Sequence, residues 1–199
     1  MRIRQLDIEG AFVVTPQVFG DDRGMFLEWF KAPVFREAAG NDLTLAQANC
    51  SVSAAGTVRG IHFADVPPGQ AKYVTCVAGS VLDVVVDVRV GSPTFGRWEA
   101  VPLNTEDRAA VYLSEGLGHG FVALEDNSTV VYLCSTTYNP SAEHEIHPFD
   151  PELGIEWGIA RARASLSAKD AGAPGLTAAR AAGLLPDYEQ CRQFRASLG

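Results

Sequence analysis

No run of apolar residues in this 199-residue chain reaches the roughly 18 needed to cross a bilayer. The opening stretch, residues 1–14, is broken by Asp7 and Glu9 and lacks a signal-peptide core. Both absences predict a cytoplasmic protein with no membrane partner. Cysteine is scarce. Cys50, Cys76, Cys134 and Cys191 form no Cys-x-x-Cys pair, and three lie in apolar or alternating runs. Buried free thiols are therefore expected rather than disulfides. Basic charge is also in deficit: 16 Lys and Arg stand against 24 Asp and Glu, a net charge of -8. Nucleic-acid binding needs a net basic surface, so that class is excluded, although a few local arginines could still hold a small phosphorylated ligand. No Gly-x-Gly-x-x-Gly, P-loop or Gly-x-Ser-x-Gly occurs. Neither a large nucleotide cofactor nor a serine nucleophile is signalled. Repeats and linkers are missing too, which predicts one domain over 1–199.

Period-two patterning dominates the first 140 residues. Residues 81–90 (VLDVVVDVRV) show it best: Leu82, Val84, Val86, Val88 and Val90 share the face expected in the core, and Val81, Asp83, Val85, Asp87 and Arg89 the other. Further strands are expected at 11–15, 25–30, 45–53, 58–63, 72–77, 97–103, 110–113, 119–125 and 129–138. Turn signals such as Pro67-Pro68-Gly69, Ala78-Gly79 and Gly91-Ser92-Pro93 separate them. Many short strands at this spacing predict an all-β antiparallel sandwich, jelly roll or barrel. Its core spans about 10–140, with a C-terminal loop and helical segment over about 141–199. A helix is expected at 32–39, closed by Gly40, and two more at 176–184 and 187–197, split at Pro186.

Polar residues recur on shared faces of these strands. Gln47, Asn49, Ser51 and Ser53 form one set, and Tyr132, Cys134, Thr136 and Tyr138 another. A buried sandwich face cannot absorb so many polar groups unless they line a cavity. Arg59, His62, Lys72, His119, Tyr132 and Tyr138 also fall in strand segments. Such a set of bases, acids and cations suits proton transfer beside a carbonyl, with phosphate binding. In a regular strand Arg59 and His62 point to opposite faces, so a bulge near Gly60 is required if both reach one pocket. A metal centre is poorly supported. His62 has no second histidine two residues on, and only Asp65 and His119 remain as partners; His144 and His147 read as a solvated loop.

Collinear segments over roughly residues 10–175 resemble the dTDP-4-dehydrorhamnose 3,5-epimerase family. They include Asp22-Arg23-Gly24-Met25-Phe26-Leu27-Glu28, Gln47-Ala48-Asn49, Arg59-Gly60-Ile61-His62-Phe63, Gln70-Ala71-Lys72, Gly118-His119-Gly120-Phe121 and Ser167-Ala168-Lys169-Asp170. The phrasing around Arg59–Val74 is most similar to the branch that makes actinobacterial antibiotic sugars. The resemblance implies a cupin-like jelly roll, a homodimer, no cofactor and no metal. The implied substrate is a dTDP-4-keto-6-deoxyhexose. It assigns His62 as the base, Asp170 as its partner, Lys72 to the enolate oxygen and Tyr132 as the acid; Asp83 is a second candidate partner for His62. Arg23 and Arg59 are implied to hold the diphosphate. Phe26 and Glu28 would meet the nucleoside, with Gln47 and Asn49 nearby, Tyr138 stacked on the base, and His119, Glu143 and Lys169 completing the site. Ala71 and Phe63 depart from the commoner Gly and Tyr of the family, and neither change removes a reacting group.

Overall fold

The computed structural model describes all 199 residues. Its strands are β1 (Arg2–Gln5), β2 (Ala11–Thr15), β3 (Val18–Asp21), β4 (Gly24–Leu27), β5 (Gln47–Ser53), β6 (Val58–Ala64) and β7 (Lys72–Ala78). They continue as β8 (Ser80–Val86), β9 (Trp98–Asn104), β10 (Ala110–Leu113), β11 (Gly118–Ala123), β12 (Ser128–Cys134) and β13 (Glu143–Glu145). The helices are α1 (Ala32–Ala39), α2 (Ala168–Ala171), α3 (Leu176–Ala181) and α4 (Tyr188–Ala196). No helix is long and apolar enough to cross a membrane.

Two antiparallel sheets face each other as a cupin-like jelly roll. One has the order β1-β2-β10-β7-β12-β5, the other β13-β6-β11-β8-β9, and β3-β4 forms a separate hairpin. Between the sheets lies a cluster built from alternate residues of each strand, including Val74, Val81, Val85, Val111, Phe121 and Val130. The outer face of the first sheet is covered by α1 and the aromatics before it: Phe35, Trp29 and Phe30 pack on Phe12, Tyr73 and Tyr112. Pro33 suits the first turn of α1 because no intrahelical partner is needed for its nitrogen there, and Gly40 closes the helix at φ 82°.

The expectation for β8 needs correction. Both of its faces are buried, not one. Val81, Asp83 and Val85 point between the sheets, while Val84, Val86 and Val88 meet Leu153, Ile155, Trp157, Leu176 and Ala179 of the C-terminal segment. That segment therefore acts as a third layer. The strand also stops at Val86 rather than Val90. Beyond it the buried Asp87 carboxylate takes hydrogen bonds from Arg89, Ser92 and Thr94, which bends the chain out of the ladder.

Residues 141–175 are not all loop. β13 pairs with β6, setting Glu145 opposite His62, but three residues are too few to show a period. The cysteines are free thiols; Cys76, Cys134 and Cys191 are buried, whereas Cys50 is exposed on the outer side of β5.

Candidate active site

Polar side chains from both sheets converge on a cavity of about 490 Å³ between them. β5 supplies Gln47, Asn49 and Ser51, β7 Lys72, and β12 Tyr132; from the opposite sheet come Arg59 and His62 of β6, His119 of β11 and Glu143 of β13. α2 closes one side with Lys169 and Asp170, and Tyr138 stands at the rim. Gln70 and Ser167 also line it, and neither was among the sequence candidates. Gln70 could have been found from alternation, since it lies two residues before Lys72 in the quoted Gln70-Ala71-Lys72 segment. Ser167 could have been found from its Ser-x-x-Asp spacing, since its hydroxyl accepts the Asp170 N–H at 3.0 Å as a helix N-cap.

A bulge brings Arg59 and His62 into one cavity, as the alternation argument required. In the β6–β11 ladder His119 opposes His62 and Phe121 opposes Arg59, so Gly60 and Ile61 together face Gly120 alone. Gly60 has φ 108°, where only glycine is at ease, and a Cβ there would meet the Gly120 Cα at 2.7 Å.

Each cavity histidine has its own carboxylate. His62 Nε2 lies 2.7 Å from Asp170 Oδ1, and His119 Nε2 lies 2.8 Å from Asp83 Oδ2. Asp170 is thus the residue bonded to His62, and Asp83 serves the neighbouring ring. An ionised carboxylate only accepts, so Nε2 of His62 carries a hydrogen, and in the neutral ring Nδ1 keeps its lone pair. Burial pushes the Asp170 carboxyl up, but the His62 hydrogen bond and charge, with Ser167 and the Gly60 backbone, hold it on balance below the usual range. Asp65, the other acid near His62 in sequence, pairs instead with His144 at 2.8 Å. No three His, Cys, Asp or Glu side chains converge in a metal-holding group.

Lys72 is buried without a hydrogen-bonded counter-ion. Burial pushes its ammonium down, and the fields of Glu143, Cys134 and Asp83 oppose that. Burial pushes the Tyr132 phenol up, so it holds its proton at neutral pH. Lys169 pairs with Glu145, which docks α2 against β13.

Arg23, Phe26 and Glu28 are not brought to this cavity. They lie on or just after the β3–β4 hairpin, where Arg23 pairs with Asp21 and Glu28 with Lys31. Phe26 is 65% exposed.

Comparison with known proteins identifies the family. Residues 5–178 match the family model described as dTDP-4-dehydrorhamnose 3,5-epimerase. A Mycobacterium tuberculosis protein named dTDP-4-dehydrorhamnose 3,5-epimerase is 56% identical over 195 residues, covering 98% of this chain and 96% of its own. The solved rmlC epimerase of the same species superposes with a TM-score of 0.97 at 55% identity, covering 100% of both chains. ChmJ, a 3'-monoepimerase from Streptomyces bikiniensis solved with dTDP-quinovose, gives a TM-score of 0.93 at 50% identity and covers 97% of each chain. With that likeness spanning every residue that lines the cavity, the chain belongs to the dTDP-4-dehydrorhamnose 3,5-epimerase family and is an isomerase of the dTDP-sugar epimerase type.

Proposed function

We propose that the cavity epimerises a dTDP-4-keto-6-deoxyhexose, dTDP-4-dehydro-6-deoxy-D-glucose, next to its C4 ketone. The observation that carries this reading is the His62–Asp170 pair at 2.7 Å, set in one cavity with Lys72 and Tyr132. The ketone acidifies the protons at C3 and C5. Nδ1 of His62 takes one of them, and the C–H electron pair moves to the C4 oxygen as an enolate. Asp170 holds the tautomer and stabilises the imidazolium that forms. The Lys72 ammonium, shielded from water, faces the developing negative oxygen. Tyr132 then donates its phenolic proton to the opposite face of the carbanion carbon. Loss of the proton from His62 and recovery of one by Tyr132 close the cycle without net oxidation or reduction.

The diphosphate is assigned to Arg59, with His119 and Lys169 beside it, since a guanidinium fork matches phosphate oxygens. Gln47, Asn49 and Glu143 take sugar or base polar groups, and Tyr138 stacks on thymine. Arg23, Phe26 and Glu28 are assigned to a second copy's cavity in a homodimer. Two features support that assembly: the hairpin exposes Val18, Phe19, Met25 and Phe26, and the edge strand β5 exposes Ala48, Cys50 and Val52 on its outer side.

Inversion at both C3 and C5 is the reading we adopt. Proteins of comparable identity carry the 3,5-epimerase and the 3'-monoepimerase designations, so identity alone does not separate the two. NMR of the reaction in heavy water tests the whole reading. Deuterium is expected at C3 and C5, and His62→Ala should cut wash-in by roughly 10²–10⁴-fold while dTDP affinity survives. Absence of wash-in with wild-type protein would falsify it, and label at C3 alone or at C5 alone would favour a single-centre reaction.

A further inference from the structure

One buried acid behind the cavity wall takes no part in the steps above. Glu115, 2% exposed, sits in the connection from β10 to β11 and does not itself line the cavity. Burial pushes its carboxyl up, and its Oε2 has no hydrogen-bond partner. An apolar side chain would fill this space at less cost, so the acid is explained by what its other oxygen bonds. Oε1 accepts the Ser135 hydroxyl at 3.3 Å. Ser135 in turn holds Ala71. Its Oγ accepts the Ala71 N–H at 2.8 Å, and its own N–H donates to the Ala71 carbonyl at 3.1 Å. A hydroxyl has one hydrogen, and giving it to Glu115 leaves a lone pair for Ala71. Two more bonds extend the stitch. Gln70 Nε2 donates to the Thr136 carbonyl at 3.0 Å, and Thr136 Oγ1 donates to the Gly69 carbonyl at 2.8 Å. Gly69 lies flat against the acid: its φ is 63°, and a Cβ there would come within 2.7 Å of the Glu115 Cβ.

We propose that Glu115 is a positioning residue for Gln70 and Lys72: together with Ser135 it clamps the Gly69–Ala71 segment and so fixes where the amide and the ammonium enter the cavity. For the ammonium, the functional consequence rests on the enolate role given to Lys72 above. Gln70 and Lys72 both line the cavity, and they flank the clamped Ala71 directly. Lys72 opens β7, opposite Leu113 on one side and Cys134 on the other. The ladder therefore holds the chain after Lys72, and the clamp holds the chain before it. This matters because no counter-ion is hydrogen-bonded to the buried ammonium; its place is set by its backbone. The same stitch ties the end of β12, which carries Tyr132, to the start of β7, so the two proposed reacting groups on this sheet keep a fixed spacing.

Three variants separate the bond from the bulk. Ser135→Ala removes the link and leaves the acid, and Glu115→Ala removes the acid. Glu115→Gln keeps an oxygen that accepts the Ser135 hydroxyl and, because Oε2 has no partner, breaks no other hydrogen bond. In both alanine variants deuterium wash-in is expected to fall by about ten- to a hundredfold, the effect of a displacement of about 1 Å. Affinity for dTDP should hold within about threefold, since Arg59 and His119 stand on the opposite sheet. Glu115→Gln should stay within about threefold of wild type in both respects. Two NMR signals read the clamp without any chemistry. The Ala71 amide should exchange about tenfold faster in Ser135→Ala, having lost its acceptor. The Lys72 side-chain carbon signal should shift in both alanine variants and return in Glu115→Gln. Lysine-selective labelling resolves it, with Lys31 and Lys169 as controls. A Lys72 signal that stays in place in folded Glu115→Ala overturns the proposal. So does Glu115→Gln behaving like Glu115→Ala, or dTDP affinity falling in step with wash-in, which marks general damage to the fold. If Glu115→Ala does not fold, Ser135→Ala decides by the same signals. If the wild type shows no wash-in while the Ala71 and Lys72 signals move as expected, the clamp stands and the epimerase reading falls.

Discussion

In the proposed mechanism Tyr132 and His62 divide one task, and their surroundings favour that division. The phenol is half-buried on β12 with its proton-release range pushed up by burial, so at neutral pH it is an acid with a proton to give. His62 has one nitrogen committed to Asp170 and one left to accept. Inversion needs both, because a single group returning its own proton to the same face restores the substrate. Tyr132→Phe should therefore lose inverted product by about 10²-fold or more while wash-in at the abstraction site persists. Product formation at the wild-type rate would remove Tyr132 from the mechanism; following the C5 proton by NMR distinguishes the outcomes. Most of these residues were legible in the chain, because period two marked the polar members of each face. The pairing of acids with histidines was not. The resemblance named Asp170 for His62 with Asp83 as a second candidate, and Asp170 lies 108 positions away, so only packing of α2 against β6 separates them.

At the scale of one strand, β6 determines whether the cavity forms. A regular ladder would aim Arg59 and His62 at opposite faces, and the two-for-one step at Gly60-Ile61 opposite Gly120 brings them together. Alternation plus one glycine was enough to require this bulge. Its register was not predictable, since it depends on which residue of β11 lies alongside. Gly60→Ala combines a positive φ with backbone overlap against His119 and Gly120. The conformational strain alone costs about 1–3 kcal/mol, and the overlap adds to it. Urea denaturation should show that loss, together with a fall in wash-in larger than reduced stability explains. Full activity at unchanged stability would mean that the bulge is dispensable. The C-terminal segment follows a similar logic. Its apolar residues Leu153, Ile155 and Trp157 lie in loop-rich sequence with no usable period, yet they cover the outer face of β6, β11 and β8.

For the whole molecule, the open question concerns the hairpin. Arg23, Phe26 and Glu28 stand away from the cavity of their own chain, with apolar neighbours facing solvent. If each hairpin completes the other subunit's site, inactive variants should complement. Arg23→Ala mixed with Phe26→Ala in one chain, refolded or co-expressed with His62→Ala chains, gives heterodimers that contain one intact site. Random pairing would restore about a quarter of the wild-type rate. No recovery in a demonstrated heterodimer would place the hairpin outside the site, and a monomer by sedimentation would remove the dimer itself.

Sequence alone determined most of the strand content and the polar faces, because side-chain alternation along a strand is a local property of the backbone; Asp170, Glu143 and Lys169 lie beyond the alternating runs and were reached only through the family resemblance. Tertiary structure decided which acid serves which histidine, that β8 is covered on both faces, and that the hairpin leaves its own cavity. Those outcomes depend on how distant segments pack, and a short strand or a loop carries no periodic signal of the partner it will meet.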